Sequence, residues 1–68
     1  MATVSIKIDE VSSTLTYVGE APIGASSAMA VWRIKRIQTV GTETSILYAG
    51  GNTGWNSVWD DRASLTYS

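Results

Sequence analysis

The stretch MAVWRIKRIQTV, residues 29–40, decides the fold of this chain. Within it Trp32 and Ile34 alternate with Arg33 and Lys35, which is the period-two pattern of a strand with one buried and one solvated face. The basic residues belong on the solvated side. The stretch therefore predicts a strand.

The alternation breaks after Lys35, because Ile37 follows one residue out of phase. A β-bulge near Lys35 and Arg36 would return Ile37 to the buried face, and it is the smallest change that repairs the pattern. A helix with Ala30, Ile34 and Ile37 on one stripe is the alternative, which the β-branched residues disfavour. We therefore predict a bulged strand here.

The residues that follow predict a hairpin. Residues 41–43 (GTE) read as its turn, and Ile46 and Tyr48 then mark an alternating strand over residues 44–49. We expect these two strands to form the central hairpin of the sheet. Residues 50–54 (GGNTG) end the second strand, because glycine and asparagine accept the positive φ angles of sharp turns.

The amino-terminal part of the chain also favours extended backbone. Thr, Val and Ile make up 20 of the 68 residues, and good helix formers are sparse. Val4, Ile6 and Ile8 alternate with polar residues, which predicts a first strand that buries its aliphatic side.

A second strand follows at residues 14–18. Either Leu15 and Tyr17, or Val18 with the threonines, would face inward, because a shift of one residue exchanges the two faces of a strand. Residues 19–28 (GEAPIGASSA) have no periodicity and contain the only proline. They predict a loop, or an arm that docks on a neighbouring subunit.

The last part of the chain predicts a short helix and a short strand. Four side chains fall at helical spacings of three and four: Trp55, Val58, Trp59 and Arg62. With Asn56 as the cap, the helix would cover residues 56–63 and pack its tryptophans on the sheet, and residues 64–67 would form a final strand. The fold class is thus mainly β: a small antiparallel sheet or sandwich of about five short strands with one short helix near residues 56–63.

Composition limits what the chain can do. Its 68 residues suffice for one small β domain, spanning residues 1–68, whose thin core gives only marginal stability, so we expect association with copies or neighbours. Cys and His are both absent, which removes thiolate and imidazole chemistry. We expect neither a signal segment nor a membrane span.

The remaining polar residues predict no active site. Asp60 and Asp61, like Asp9 and Glu10, are sequence neighbours that point apart on a strand or helix, so neither pair makes an acid and base. No serine has an imidazole partner, and the glycine-rich turn lacks the phosphate-loop spacing. We therefore predict no catalysis, no metal and no cofactor.

Two binding functions remain to be weighed. Arg33, Lys35 and Arg36 beside Trp32 could bind single-stranded nucleic acid, but a net charge of −1 disfavours it. Indole rings could also stack on sugars, although the core or an interface is the commoner place for them. The residues concerned are Trp32, Trp55 and Trp59.

Residues 30–37 (AVWRIKRI), the Gly/Ala/Ser-rich segment after Tyr17, and the ending VWDDRASLTYS (residues 58–68) resemble short structural proteins of tailed bacteriophages. The resemblance implies a virion component present in many copies, and leaves its place open among capsid decoration, neck, tail and fibre. It also implies six scaffold positions: Trp32, Ile34, Ile37, Trp59, Arg62 and Leu65.

Together these features lead to one functional expectation. The chain would be a non-enzymatic virion structural protein, assembled in the host cytoplasm, with its own copies and other virion proteins as partners. The alternative is a small module that binds a host glycan or receptor through exposed Trp and Tyr. The interface or scaffold candidates are Trp32, Ile34, Ile37, Trp55, Trp59, Arg62, Leu65 and Tyr67, with Arg62 in an ion pair to Asp60, Asp61 or a neighbouring subunit.

Overall fold

The computed structural model describes residues 4–68. The expectation that the chain starts without a signal segment concerns residues that lie partly outside this range. The elements are β1 (Val4–Ser12), β2 (Leu15–Pro22), β3 (Ala30–Val40), β4 (Glu43–Tyr48), β5 (Ser57–Val58) and a 3₁₀ turn (Trp59–Asp61). The strands form one antiparallel sheet in the order β1-β2-β3-β4, and β5 pairs with β3 beyond this path. The predicted mainly β class is confirmed, as a sheet rather than a sandwich.

β3 organises the sheet, but without the predicted bulge. Its register against β2 is unbroken from Arg33 to Gln38, and its register against β4 is unbroken from Lys35 to Val40. The bulge near Lys35 and Arg36 is therefore wrong. Arg36 lies on the core side instead, opposite Tyr17. Its guanidinium carbon is 5.0 Å from the centre of the Tyr67 ring, which is a favourable cation–π contact.

The strand register places Ile37 on the side of the sheet opposite Ile34. The irregularity of β3 lies at its amino-terminal end, between Ala30 and Trp32, where the strand pairs with β5. The inner pair of the sheet is β2 and β3, so the hairpin of β3 and β4 lies to one side and not at the centre. The hairpin turn itself is present: Gly41 has a φ of 62°, as the first position of a type II′ turn requires.

β1 turns its aliphatic side away from the core. Asp9 pairs with Tyr17 and Ile8 with Val18, and paired residues of antiparallel strands share a face. Tyr17 is buried, which resolves the facing of β2: the core side is that of Leu15 and Tyr17. The prediction that the first strand buries its aliphatic residues is therefore wrong.

The predicted arm is part strand and part folded loop. Gly19 to Pro22 belong to β2, and only residues 23–29 connect β2 to β3. This connection is held against its own chain, because Trp32 Nε1 donates to the Ser26 carbonyl at 2.9 Å and the Asp60 amide donates to the Ser27 carbonyl at 3.1 Å. Residues 19–22 were predicted as loop because Gly19 and Pro22 have low strand propensity.

The predicted two-turn helix over residues 56–63 is a single 3₁₀ turn. Ser57 and Val58 are extended and paired with β3, so no helix can begin before Trp59, and Asn56 does not cap it. The predicted final strand is reduced to one bridge, between Ala49 and Tyr67. Pairing with β3 satisfies backbone groups that a short isolated helix would leave free at its ends.

The core lies on one side of the sheet, under the 3₁₀ turn and the last residues. Its indoles, Trp32 and Trp59, meet at a centroid distance of 5.8 Å, and two tyrosine rings meet at 5.7 Å. The buried residues are Tyr17, Ala21, Trp32, Ile34, Ala49, Trp59 and Tyr67. Among residues 4–68, no comparable aromatic cluster covers the opposite side of the sheet.

Among residues 4–68 there is no helix long and apolar enough to span a membrane.

Candidate interaction surface

The uncovered side of the sheet, here called the open face, carries the candidate site. Strand alternation and register place six aliphatic side chains on it: Val4, Ile6, Ile8, Val18, Ile37 and Ile46. Ile6, Ile8 and Ile46 are 58%, 64% and 55% exposed. Single exposed aliphatic residues are ordinary, but aliphatic side chains on one face of four neighbouring strands, three of them more than half exposed, are typical of an interaction surface.

The aliphatic side chains of the open face lie in rows across the strands. Ile8 lies opposite Val18, and Ile37 lies opposite Ile46. Cross-strand neighbours have Cβ atoms about 5 Å apart, so the two side chains of each pair are adjacent. Lys35 interrupts the surface on β3, in register with Val18.

A polar pair lies on the open face, in the same cross-strand row as Ile6. Arg33 and Glu20 are direct cross-strand partners, and their side chains form an ion pair at 3.1 Å. The Arg33 guanidinium also lies 4.5 Å from the Trp55 ring centre. Trp55 is 40% exposed, so the turn after β4 displays one indole beside the open face.

The structure divides the predicted interface or scaffold residues between core and surface. Trp32, Ile34, Trp59 and Tyr67 are buried, and Leu65 packs against them. Ile37 and Trp55 lie on or beside the open face. The core residues position the sheet, whereas Ile37 and Trp55 lie outside the core.

Arg62 connects the end of the chain to β1. Its Nε and Nη2 both lie 3.0 Å from Asp9 Oδ2, and its guanidinium stacks 4.7 Å from the centre of the Trp59 ring. The predicted partners Asp60 and Asp61 are not used. The ion pair joins residues far apart in sequence, so no local spacing could have indicated it.

Sequence reasoning missed the aliphatic residues of β1 and β4 as surface residues. The period-two pattern of Ile6 and Ile8 was visible, but alternation shows only that one side of a strand is apolar. Which side meets the core depends on the partner strand, here on Tyr17. Ile46 had the same ambiguity.

The pKa of Tyr67 is strongly shifted. Its hydroxyl donates to the Arg62 carbonyl at 2.8 Å. Burial, and next the proximity of Tyr17, raise its pKa from 10.0 to about 12, and the cations of Arg36 and Arg62 offset part of this rise. Folding therefore favours the protonated phenol.

Alkaline pH should destabilise the chain through Tyr67. Because its pKa is raised on folding, its contribution is fully present below the ordinary value of 10.0 and is lost as the pH rises through about 12. Urea midpoints measured from about pH 9 to about pH 12 should fall more steeply for the wild type than for Tyr67→Phe. Equal slopes for the two proteins would contradict this assignment.

Residues 4–68 enclose no pocket and bring no three acidic side chains together. No protein-family model, curated protein or solved structure matches the chain.

Proposed function

We propose that this chain is a non-enzymatic structural protein of a bacteriophage virion, which acts by burying the open face against copies of itself and neighbouring virion proteins. One observation carries the proposal: β1 presents its aliphatic side chains to solvent while its polar side chains face the core side. A partner that covers the open face would remove these aliphatic side chains from water. The resemblance of the ending to phage structural proteins supplies the virion context.

The energetics of the fold support the proposal. Transfer of apolar surface from water contributes about 25 cal/mol per Å², so covering three isoleucines that are more than half exposed stabilises an assembly appreciably. A domain of 68 residues with no disulfide has little stability to spare. Association would offset that deficit.

The open face can be tested with Ile6→Thr combined with Ile8→Thr. Threonine keeps strand propensity and removes apolar area, so we expect the folded monomer to survive and its self-association constant to fall at least about tenfold. Sedimentation velocity over a range of concentrations measures this. The control is Val40→Thr, at a side chain that is 72% exposed beside the hairpin turn. A wild-type chain that sediments as a monomer at every concentration would defeat the proposal.

The virion context needs a separate test. Purified particles of a phage that encodes the chain should contain it at a fixed, high copy number, measured by quantitative mass spectrometry, and a particle reconstruction should place it. Absence of the chain from the particles would remove the virion part of the proposal and leave self-association to be judged by sedimentation.

A second candidate function rests on Trp55. Its partly exposed ring beside Arg33 and Glu20 combines a stacking surface with polar groups, as glycan recognition requires. Trp32 and Trp59 are buried and cannot contribute. Glycan-array binding that Trp55→Ala abolishes, with the fold retained, would support this candidate, and a blank array would reject it.

A further inference from the structure

The outer edge of β1 is a free strand edge. β1 pairs with β2 on one side over Val4–Ser12, and no strand among residues 4–68 pairs with its other side. Free edges present unpaired backbone groups, and proteins commonly block them with bulges, prolines or covering loops. β1 has no proline, and its one register shift lies near the end of the strand, between Glu10 and Ser12.

The other outer strand is better protected. The end of β4 is bonded to the last residues of the chain: the Tyr48 amide donates to the Ser68 carbonyl, and the Ser68 amide donates to the Tyr48 carbonyl, both at 3.2 Å. β4 is also shorter, with six residues against nine in β1. β1 is therefore the edge at which an added strand can pair along the greater length.

The sequence of β1 is complementary to itself in one antiparallel register. With Ile8 opposite Ile8 of a second copy, each Lys7 lies opposite Asp9 of the other chain, and opposite charges across strands are stabilising. A register centred on Lys7 places Lys7 opposite Lys7 of the second copy, and one centred on Asp9 places Asp9 opposite Asp9, so like charges meet in both. A centre at Ile6 moves Asp9 opposite residue 3, beyond the strand.

The carboxylate of Asp9 can accept a second cation. Arg62 contacts the carboxylate through Oδ2, and a carboxylate has a second acceptor oxygen, here Oδ1. Arg62 also holds the carboxylate in place against the end of the chain. Lys7 is exposed on the same side of β1, because residues two apart share a face.

We infer that the outer edge of β1 binds the same edge of a second copy, antiparallel and centred on Ile8. This rests on the proposed function and specifies its first contact. Joining two four-strand paths gives a continuous eight-stranded sheet. The open faces of the two copies then lie on one side, and the row of Val18 and Ile8 continues into the other copy, which doubles the apolar surface offered to neighbouring proteins.

Cysteine cross-linking tests the geometry, because the natural chain has no cysteine. Ile8→Cys would place two thiols directly across the two-fold axis, within reach of a short bismaleimide. The matched control is Ile46→Cys, which has similar exposure on the open face but lies on β4. We expect covalent dimer to accumulate at least about tenfold faster for Ile8→Cys.

The outcomes separate this inference from the proposed function. Faster cross-linking of Ile8→Cys supports the β1 edge. Equal or faster cross-linking of Ile46→Cys, with self-association seen in sedimentation, overturns the edge inference and leaves the proposed function standing. A wild-type chain that is always monomeric overturns both.

Charge variants test the register independently. Lys7→Glu places like charges opposite each other and should weaken the dimer about tenfold or more, whereas Lys35→Glu makes the same change in net charge away from the edge and should not. Mixing Lys7→Glu with Asp9→Lys restores opposite charges at both positions. Because Asp9 also pairs with Arg62, circular dichroism first establishes that Asp9→Lys is folded; if it is not, the comparison of Lys7→Glu with Lys35→Glu decides the register. Sedimentation of the mixture should recover a dimer that neither variant forms alone, and failure of this recovery by two folded variants would overturn the Ile8-centred register.

Discussion

Gly19→Ala should unfold much of the protein under conditions in which the wild type is folded. A Cβ at this position would lie 2.6 Å from Trp59 Cζ3, closer still to Trp59 Cε3, and 3.1 Å from Trp32 Cε3. Overpacking a closed core costs about 1–3 kcal/mol and sometimes more, and the contacted atoms belong to rigid buried rings that cannot move aside. Urea unfolding followed by tryptophan fluorescence measures the effect.

Two further variants distinguish a clash between the Cβ that Gly19→Ala adds and the Trp59 ring from a general effect of mutating β2. Thr16→Ala alters the same strand on the open face and should shift the urea midpoint much less. Combining Gly19→Ala with Trp59→Leu should cost less than the sum of the two changes, because the smaller side chain leaves room for the added methyl group. A Gly19→Ala protein with the wild-type midpoint would show that the Trp59 ring does not lie on this backbone.

Trp59→Ala should be strongly destabilising. The indole packs against Trp32, covers Gly19 and lies under the Arg62 guanidinium. Truncation of a buried tryptophan costs about 3–5 kcal/mol, which is a large part of the about 5–15 kcal/mol that typically separates folded from unfolded domains. We expect the variant to lose its cooperative urea transition.

The control for Trp59 is the exposed indole. Trp55→Ala removes the same side chain at a position that is 40% exposed, with a cation on one of its faces, so its urea midpoint should stay near that of the wild type. Equal destabilisation by the two variants would mean that the buried pair of indoles is not the centre of the core. Circular dichroism distinguishes unfolding from a local change in fluorescence.

The strands could be predicted because alternation is a local property. Trp32 and Ile34 identified the buried side of β3, and the turn at residues 41–43 was visible in its glycine. The bulge at Lys35 and Arg36 failed for a physical reason: it was predicted in order to bury Ile37, but the unbroken register places Arg36 on the core side, where the ring of Tyr67 contacts its guanidinium. Sequence spacing carries no information about such a contact.

The helix near residues 56–63 failed for a related reason. The spacing of Trp55 and Trp59 was helical, but Ser57 and Val58 gain more from pairing with β3 than from a helix of two turns. Short helices are marginal unless tertiary packing supports them. The competing strand was not visible until β3 was placed.

Local sequence patterns are enough to identify a small, mainly β chain without cysteine or histidine, whose aliphatic and polar residues alternate along extended segments. Which side of each strand is covered depends on contacts between segments that are distant in sequence. The indoles of Trp32 and Trp59 and the rings of Tyr17 and Tyr67 fill one side of the sheet. Because antiparallel register ties every facing to its neighbour, Tyr17 then turned the isoleucines of β1 toward solvent, where a partner can reach them.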